Sequence, residues 1–140
     1  MRGSIPDVAD PNIEVVRELY ERINGDDSES IYELLSEDFR AEVPPSLSAE
    51  PDVYEGHAGV RRYMDGFQGH LDDVRFEVVG IHLEGEEVIV DMLVTGRGAS
   101  SGIPVEQPSA VVHWVAGGKV TRMDVHPDVE EAREALRRVG

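Results

Sequence analysis

The second half of the chain alternates long runs of strand-forming residues with short glycine-bearing turns, and this pattern limits the possible folds more than any other feature. Val74 to Leu83, Glu87 to Arg97, Ile103 to Val115 and Lys119 to His126 read as four strands. Glu84-Gly85-Glu86 is a turn, residues 98–102 (Gly-Ala-Ser-Ser-Gly) make a looser connection, and Gly117-Gly118 suits a two-residue turn with positive φ at both positions. Strands joined this tightly can only be antiparallel neighbours, so the four form a meander. The second of them carries Val88, Ile89, Val90, Met92, Leu93 and Val94. Both its faces are largely apolar, which predicts a strand covered on both sides.

The first half reads as helices. Asp10 and Pro11 are suited to the cap and first turn of a helix, and Ile13, Val16, Leu19, Tyr20 and Ile23 recur at helical spacing. Asn24-Gly25 ends it. Asp26 and Glu29 can form a capping box for a short second helix with Ile31, Leu34 and Leu35 on its buried side. Phe39 to Val43 alternates as a strand that Pro44-Pro45 closes. After a proline- and acid-rich loop over 44–56, a third helix carries Val60, Tyr63, Met64, Phe67 and Leu71. Asp128 with Glu131 caps a last helix whose inward side is Ala132, Ala135, Leu136 and Val139.

Helices grouped ahead of a meander define an α+β fold rather than a parallel βαβ one. The expected architecture is a curved antiparallel sheet wrapped around the N-terminal helices, a cone whose open end can be an apolar pocket. At 140 residues the chain is expected to be a polar tail (1–10) followed by a single domain (11–140). There is no cysteine, which excludes disulfides and thiolate metal sites. A net charge of −16 repels phosphate backbones, so nucleic acid is not an expected partner. No run approaches the roughly 20 apolar residues a membrane helix needs. The N-terminus lacks the apolar core of a signal peptide, and a cytoplasmic protein is expected.

Several ordered strings resemble one family. They are Asn24-Gly-Asp26, Ser36-Glu-Asp-Phe39, Tyr54-Glu-Gly-His-Ala-Gly-Val-Arg-Arg-Tyr63 and Gly96-Arg-Gly98 with Ser101-Gly102. Val105-Glu-Gln107 and Gly117-Gly-Lys-Val-Thr-Arg-Met-Asp-Val-His-Pro-Asp128 complete the set. From about residue 11 to 137 the chain resembles SnoaL-like proteins of the nuclear transport factor 2 superfamily. That resemblance implies the cone fold, and a homodimer formed through the sheet. The superfamily hosts isomerases, cyclases, hydrolases and noncatalytic modules, so the fold does not fix the activity.

Carried over residue by residue, the resemblance is instructive. Ketosteroid isomerases place a general-base Asp before the proline that ends the first strand, and the matching residue is Val43, which cannot take a proton. Their oxyanion pair is a first-helix Tyr, matching Tyr20, and a protonated Asp, whose position falls on or near Ala110. Two of three groups are missing, and no steroid isomerase activity is expected. Limonene epoxide hydrolases need an Arg-x-Asp pair that Val90-Asp91-Met92 does not supply, although their second Asp matches Asp128. SnoaL-type cyclases place an acid/base Asp near the end of the sheet, for which Asp124 and Asp128 are the local candidates.

The candidate catalytic residues are therefore Tyr20, Glu106, Asp91 and Asp128. Tyr20 could donate to a substrate oxygen or be a core tyrosine. A carboxylate at Glu106 or Asp91 would act as acid or base only if it faced an apolar pocket, and Asp128 is equally well explained as a helix cap. The candidate lining is Val43, Tyr63, Phe67, Met92, Ala110, Trp114 and Met123, a set suited to a small neutral hydrophobic molecule and also to core packing. If Ala110 points inward, strand alternation carries Pro108, Val112, Trp114 and Glu106 with it, while Met123 and Val125 face in from the fourth strand. His113 and His126 would need an orienting partner to be catalytic. No His, Asp or Glu spacing suggests a metal, no glycine string suggests a dinucleotide, and no cofactor is expected. Three readings remain open: an acid/base isomerase, cyclase or lyase, a noncatalytic binder, and a dimerisation module.

Overall fold

A computed structural model of the chain describes residues 10–25, 28–43 and 52–139 (backbone only at 28, 52, 66–70, 138 and 139). Helix α1 spans Pro11–Ile23. The Asp10 carboxylate accepts from the backbone N–H groups of Asn12 at 2.9 Å and Ile13 at 3.2 Å, satisfying two of the donors a helix start leaves open. Its buried face is Ile13, Val16, Leu19 and Tyr20, as the spacing predicts. The helix stops at Asn24, whose side-chain amide donates to the Phe76 carbonyl at 2.8 Å and accepts from the Phe76 N–H at 2.9 Å. A helix cap thus satisfies one residue of an edge strand.

The second helical segment, Ser28–Leu34, is a 3-10 helix rather than an α-helix. Asp26, the expected cap, lies outside the described residues, as do the prolines at 44 and 45. Strand β1 runs Leu35–Val43, starting earlier than Phe39. A four-residue strand, β2 (Asp52–Glu55), lies inside what reads as loop and pairs antiparallel with β1. Helix α2 (Gly56–His70) opens at Gly56 with φ +67, a conformation that glycine adopts without strain. Strands β3 (Leu71–Glu84), β4 (Glu87–Gly98), β5 (Pro104–Ala116) and β6 (Lys119–His126) are the meander, and helix α3 (Val129–Val139) closes the chain. Gly117 and Gly118 have φ +61 and +78, the primed turn expected there.

The six strands make one sheet in the order β2-β1-β6-β5-β4-β3. The sheet is mixed rather than wholly antiparallel: β1 lies parallel to β6, with Ala41 opposite Met123. The meander ends on β6, and β1 supplies the strand that continues the sheet past it. Strands β2 and β3 are the two edges, so α2, which joins them, must cross the inner face from one edge to the other. At about 1.5 Å per residue, its 15 residues span roughly 22 Å. Helices α1 and α2 cover the inner face. Helix α3 covers part of the outer face, where Ala132, Val129 and Leu136 pack on Ile89, Ala110, Val112 and Trp114. Strand β4 is therefore apolar on both sides because both sides are covered: Val88, Val90, Met92 and Val94 inward, Ile89 outward.

Candidate functional site: an apolar cavity with a tyrosine–histidine pair behind its wall

Between the inner face and the helices lies a cavity of about 70 Å³. Helix α1 contributes Leu19, Tyr20 and Ile23, and the 3-10 helix contributes Ile31. Strand β1 contributes Leu35, Phe39, Ala41 and Val43, while Tyr54, Val60, Tyr63 and Met64 come from β2 and α2. The sheet floor is Phe76, Met92, Val94, Ser109, Val111, Met123 and Val125. Hydroxyls of three tyrosines and one serine are the polar groups of this wall. Among the described residues it contains no carboxylate, imidazole or cation. Pockets for drug-sized ligands measure about 300–1,000 Å³, so a polycyclic substrate does not fit this volume.

The predicted site residues divide cleanly. Tyr20, Val43, Tyr63, Met92 and Met123 come together around the cavity. The Phe67 side chain lies outside the described residues. Ala110 and Trp114, expected in the lining, lie on the outer face under α3. The register explains this correction: Ala110 is opposite His126, and Val111 is opposite Val125. If Val125 faces inward, Val111 does too, and Ala110 cannot. Glu106, carried with Ala110, is exposed on the outer face opposite Thr95. Asp91, between inward Val90 and Met92, points outward beside Ala110 and Gly80. Asp128 caps α3, accepting from the Glu131 N–H at 2.8 Å. Asp124 is engaged by Arg122, whose Nε and Nη2 donate to its two oxygens at 3.0 Å each. None of the three candidate carboxylates reaches the cavity. On the inner face of β5, Ser109 and Val111 supply no acid to the cavity.

Of the wall's polar groups, the Tyr20 hydroxyl is engaged from behind by His113 of β5. Their rings meet edge to face at 5.5 Å. The Tyr20 Oη and His113 Nε2 are 2.7 Å apart, and His113 Nδ1 is 3.2 Å from the Val88 carbonyl oxygen. A carbonyl can only accept, so Nδ1 carries the proton and donates to it. Nε2 is then the acceptor of the Tyr20 O–H. Both side chains are buried, His113 at 0% exposure. Burial pushes the His113 pKa down to about 4, partly offset by backbone hydrogen bonds to Val88 and Val111. Burial, with a smaller contribution from Tyr63, pushes the Tyr20 phenol far above its ordinary value. Tyr63 is raised by burial and then by Tyr54, whose ring is 4.9 Å away. A neutral imidazole this weakly basic and a phenol this weakly acidic hold their protons where they are. Sequence reasoning missed Tyr54, Met64, Ser109 and Val111 as lining, while Val125 faces in with Met123 as expected. Tyr54 stood in a matched string.

Among the described residues no group of three or more His, Cys, Asp or Glu could hold a metal ion, and no helix is long and apolar enough to cross a membrane.

An α+β cone with a mixed six-stranded sheet and an apolar interior is the class of protein that fold and site define. The SnoaL-like domain model matches residues 16–123, and the chain belongs to that family. No functionally curated protein matches it. Among solved structures it is similar to a nuclear transport factor 2-like protein of unknown function from Burkholderia pseudomallei, with 21% identity and a TM-score of 0.73 over 89% of this chain and 95% of that one. A candidate SnoaL-like polyketide cyclase from Jannaschia is 19% identical, with a TM-score of 0.73 over 96% of each chain. A hypothetical protein with a ketosteroid isomerase-like fold from Catenulispora acidiphila, in complex with trimethylamine, is 13% identical, with a TM-score of 0.69 over 83% of this chain and 86% of that one. At these identities the likeness establishes the fold.

Proposed function

We propose that this protein binds a small, neutral, hydrophobic molecule in the inner cavity and performs no carboxylate-driven acid/base chemistry on it, working in the cytoplasm as a homodimer. The observation that carries the reading is the composition of the wall: aliphatic, aromatic and thioether side chains with hydroxyls as their polar groups. An ion or a multiply charged substrate would lose its hydration there without compensation. The acid/base alternative needs a proton acceptor in contact with the ligand. Glu106, Asp91 and Asp128 stand elsewhere, and the Tyr20 proton is already committed to His113. The test is a thermal-shift screen of neutral single-ring alcohols and ketones against the matched carboxylic acids. A ligand that binds only the native state raises the melting temperature. The reading requires the neutral members to do so; a screen in which none does, at any soluble concentration, contradicts it.

Support for the dimer comes from the outer face. Helix α3 packs on Ile89, Ala110 and Val112, while the cross-strand pair Leu93 and Pro108 lies further along the same face. A patch of this kind suits a self-complementary contact. Leu93→Arg should give a monomer by sedimentation equilibrium; an unchanged mass for both forms would rule out this surface.

A further inference from the structure

Next to the cavity is a second chamber of about 310 Å³, which opens between the end of α1, the 3-10 helix, α2 and β3. The two share four wall residues: Ile23, Ile31, Met64 and Phe76. They thus adjoin along these four residues. Of the four, Phe76 has its backbone clamped by Asn24, and the isoleucines are β-branched and stiff at χ1. Met64 is unbranched and adaptable, the side chain best able to swing aside. Alone, the inner cavity is smaller than the roughly 150 Å³ void known to hold benzene. Joined to the outer chamber it reaches the low end of ordinary ligand pockets.

The outer chamber has different chemistry. Arg61 donates to Glu29 from both terminal nitrogens, at 2.8 and 3.0 Å, and lies over the Tyr32 ring at 4.8 Å. Asp65 adds a second carboxylate to the wall. An incoming anion must therefore displace Glu29 from Arg61 while facing Asp65, on a chain whose net charge is −16. A hydroxyl or carbonyl needs to displace nothing, since carboxylate lone pairs and the tyrosine hydroxyl can still hydrogen-bond it.

We infer that the two chambers are the halves of one binding site, opened by Met64, whose occupant has a single-ring apolar body that reaches from the outer half into the inner one and an uncharged polar end held in the outer half. The inference rests on the cavity-binding reading and adds the shape and charge of the ligand. Calorimetric titration with para-ethylbenzyl alcohol, para-ethylbenzoate and ethylbenzene tests it. The alcohol should bind at least about tenfold more tightly than the benzoate, a difference of about 1.4 kcal/mol. The double variant Glu29→Gln/Asp65→Asn should close most of that gap. Met64→Trp, which fills the shared wall, should abolish binding of all three. If that variant does not fold, Met64→Ile, stiff at χ1, should slow association of the alcohol. Equal affinity for alcohol and benzoate, or a gap unmoved by the double variant, overturns the inference. Ethylbenzene bound with no response to any outer-chamber change overturns it while leaving the cavity reading standing. Failure of all three probes to bind overturns both.

Discussion

The Tyr20 hydroxyl donates to His113 Nε2 at 2.7 Å, and this bond ties the inner face of α1 to the middle of β5. It forms inside the core, where water cannot replace either partner. Removing the hydroxyl leaves a buried imidazole nitrogen without a donor. Tyr20→Phe should therefore destabilise the protein by about 1–3 kcal/mol in urea unfolding, while affinity for a neutral cavity ligand changes by less than about threefold. A large loss of affinity with unchanged stability would make Tyr20 a ligand contact instead of a structural one.

The same pair predicts how stability depends on pH. His113 titrates at about 4 in the folded protein and near 6.5 when unfolded. Between those values the unfolded chain binds the extra proton, so stability is fully present above pH 6.5 and is lost as pH falls toward 4. At about 1.36 kcal/mol per pKa unit, the loss is roughly 3 kcal/mol. The measurement is the difference in urea midpoint between wild type and His113→Leu across this window. Relative to His113→Leu, the wild type should lose stability as pH falls below 6.5; parallel curves would show that His113 is not held neutral.

Gly59 decides between two opposing effects. In an exposed helix interior, alanine is favoured over glycine by about 1 kcal/mol. On α2, however, a Cβ at residue 59 would sit 2.8 Å from the Tyr54 carbonyl carbon, which is backbone and cannot swing away. Gly59→Ala should therefore lower the melting temperature and pry α2 from β2. A stabilised variant would mean that this close approach is absent in solution.

Asp128 was a catalytic candidate and stands as a cap. Asp128→Ala should cost about 1 kcal/mol through loss of the bond to the Glu131 N–H, and Asp128→Asn should recover most of it. Ligand affinity should follow neither change, as a titration of both variants with one neutral ligand would reveal.

How far the sequence could be read depended on whether its signals were local. The stripe Ile13–Val16–Leu19–Tyr20, the Gly117-Gly118 turn and the caps at Asp10 and Asp128 are decided within a few residues, and all were legible. The face of β5 was not. Ser109, Ala110, Val111, Val112 and His113 are all buried, because α3 covers one side and the cavity side the other. Without alternation, parity could be fixed only through the register with β6. The parallel joining of β1 to β6 is a long-range pairing with no local mark, and β2, at four residues, is too short to show periodicity. Val43 does line the cavity, whereas the inward residues of β5 are Ser109 and Val111 rather than Ala110.

The most direct test uses the methionines. The chain has four; Met64, Met92 and Met123 line the cavity, and Met1 lies outside the described residues. With methyl-labelled methionine, titration with para-ethylbenzyl alcohol should move the Met92 and Met123 resonances saturably and leave Met1 in place. Resonances of Met92 and Met123 that stay fixed through a large excess of ligand would contradict the claim that this interior receives a guest.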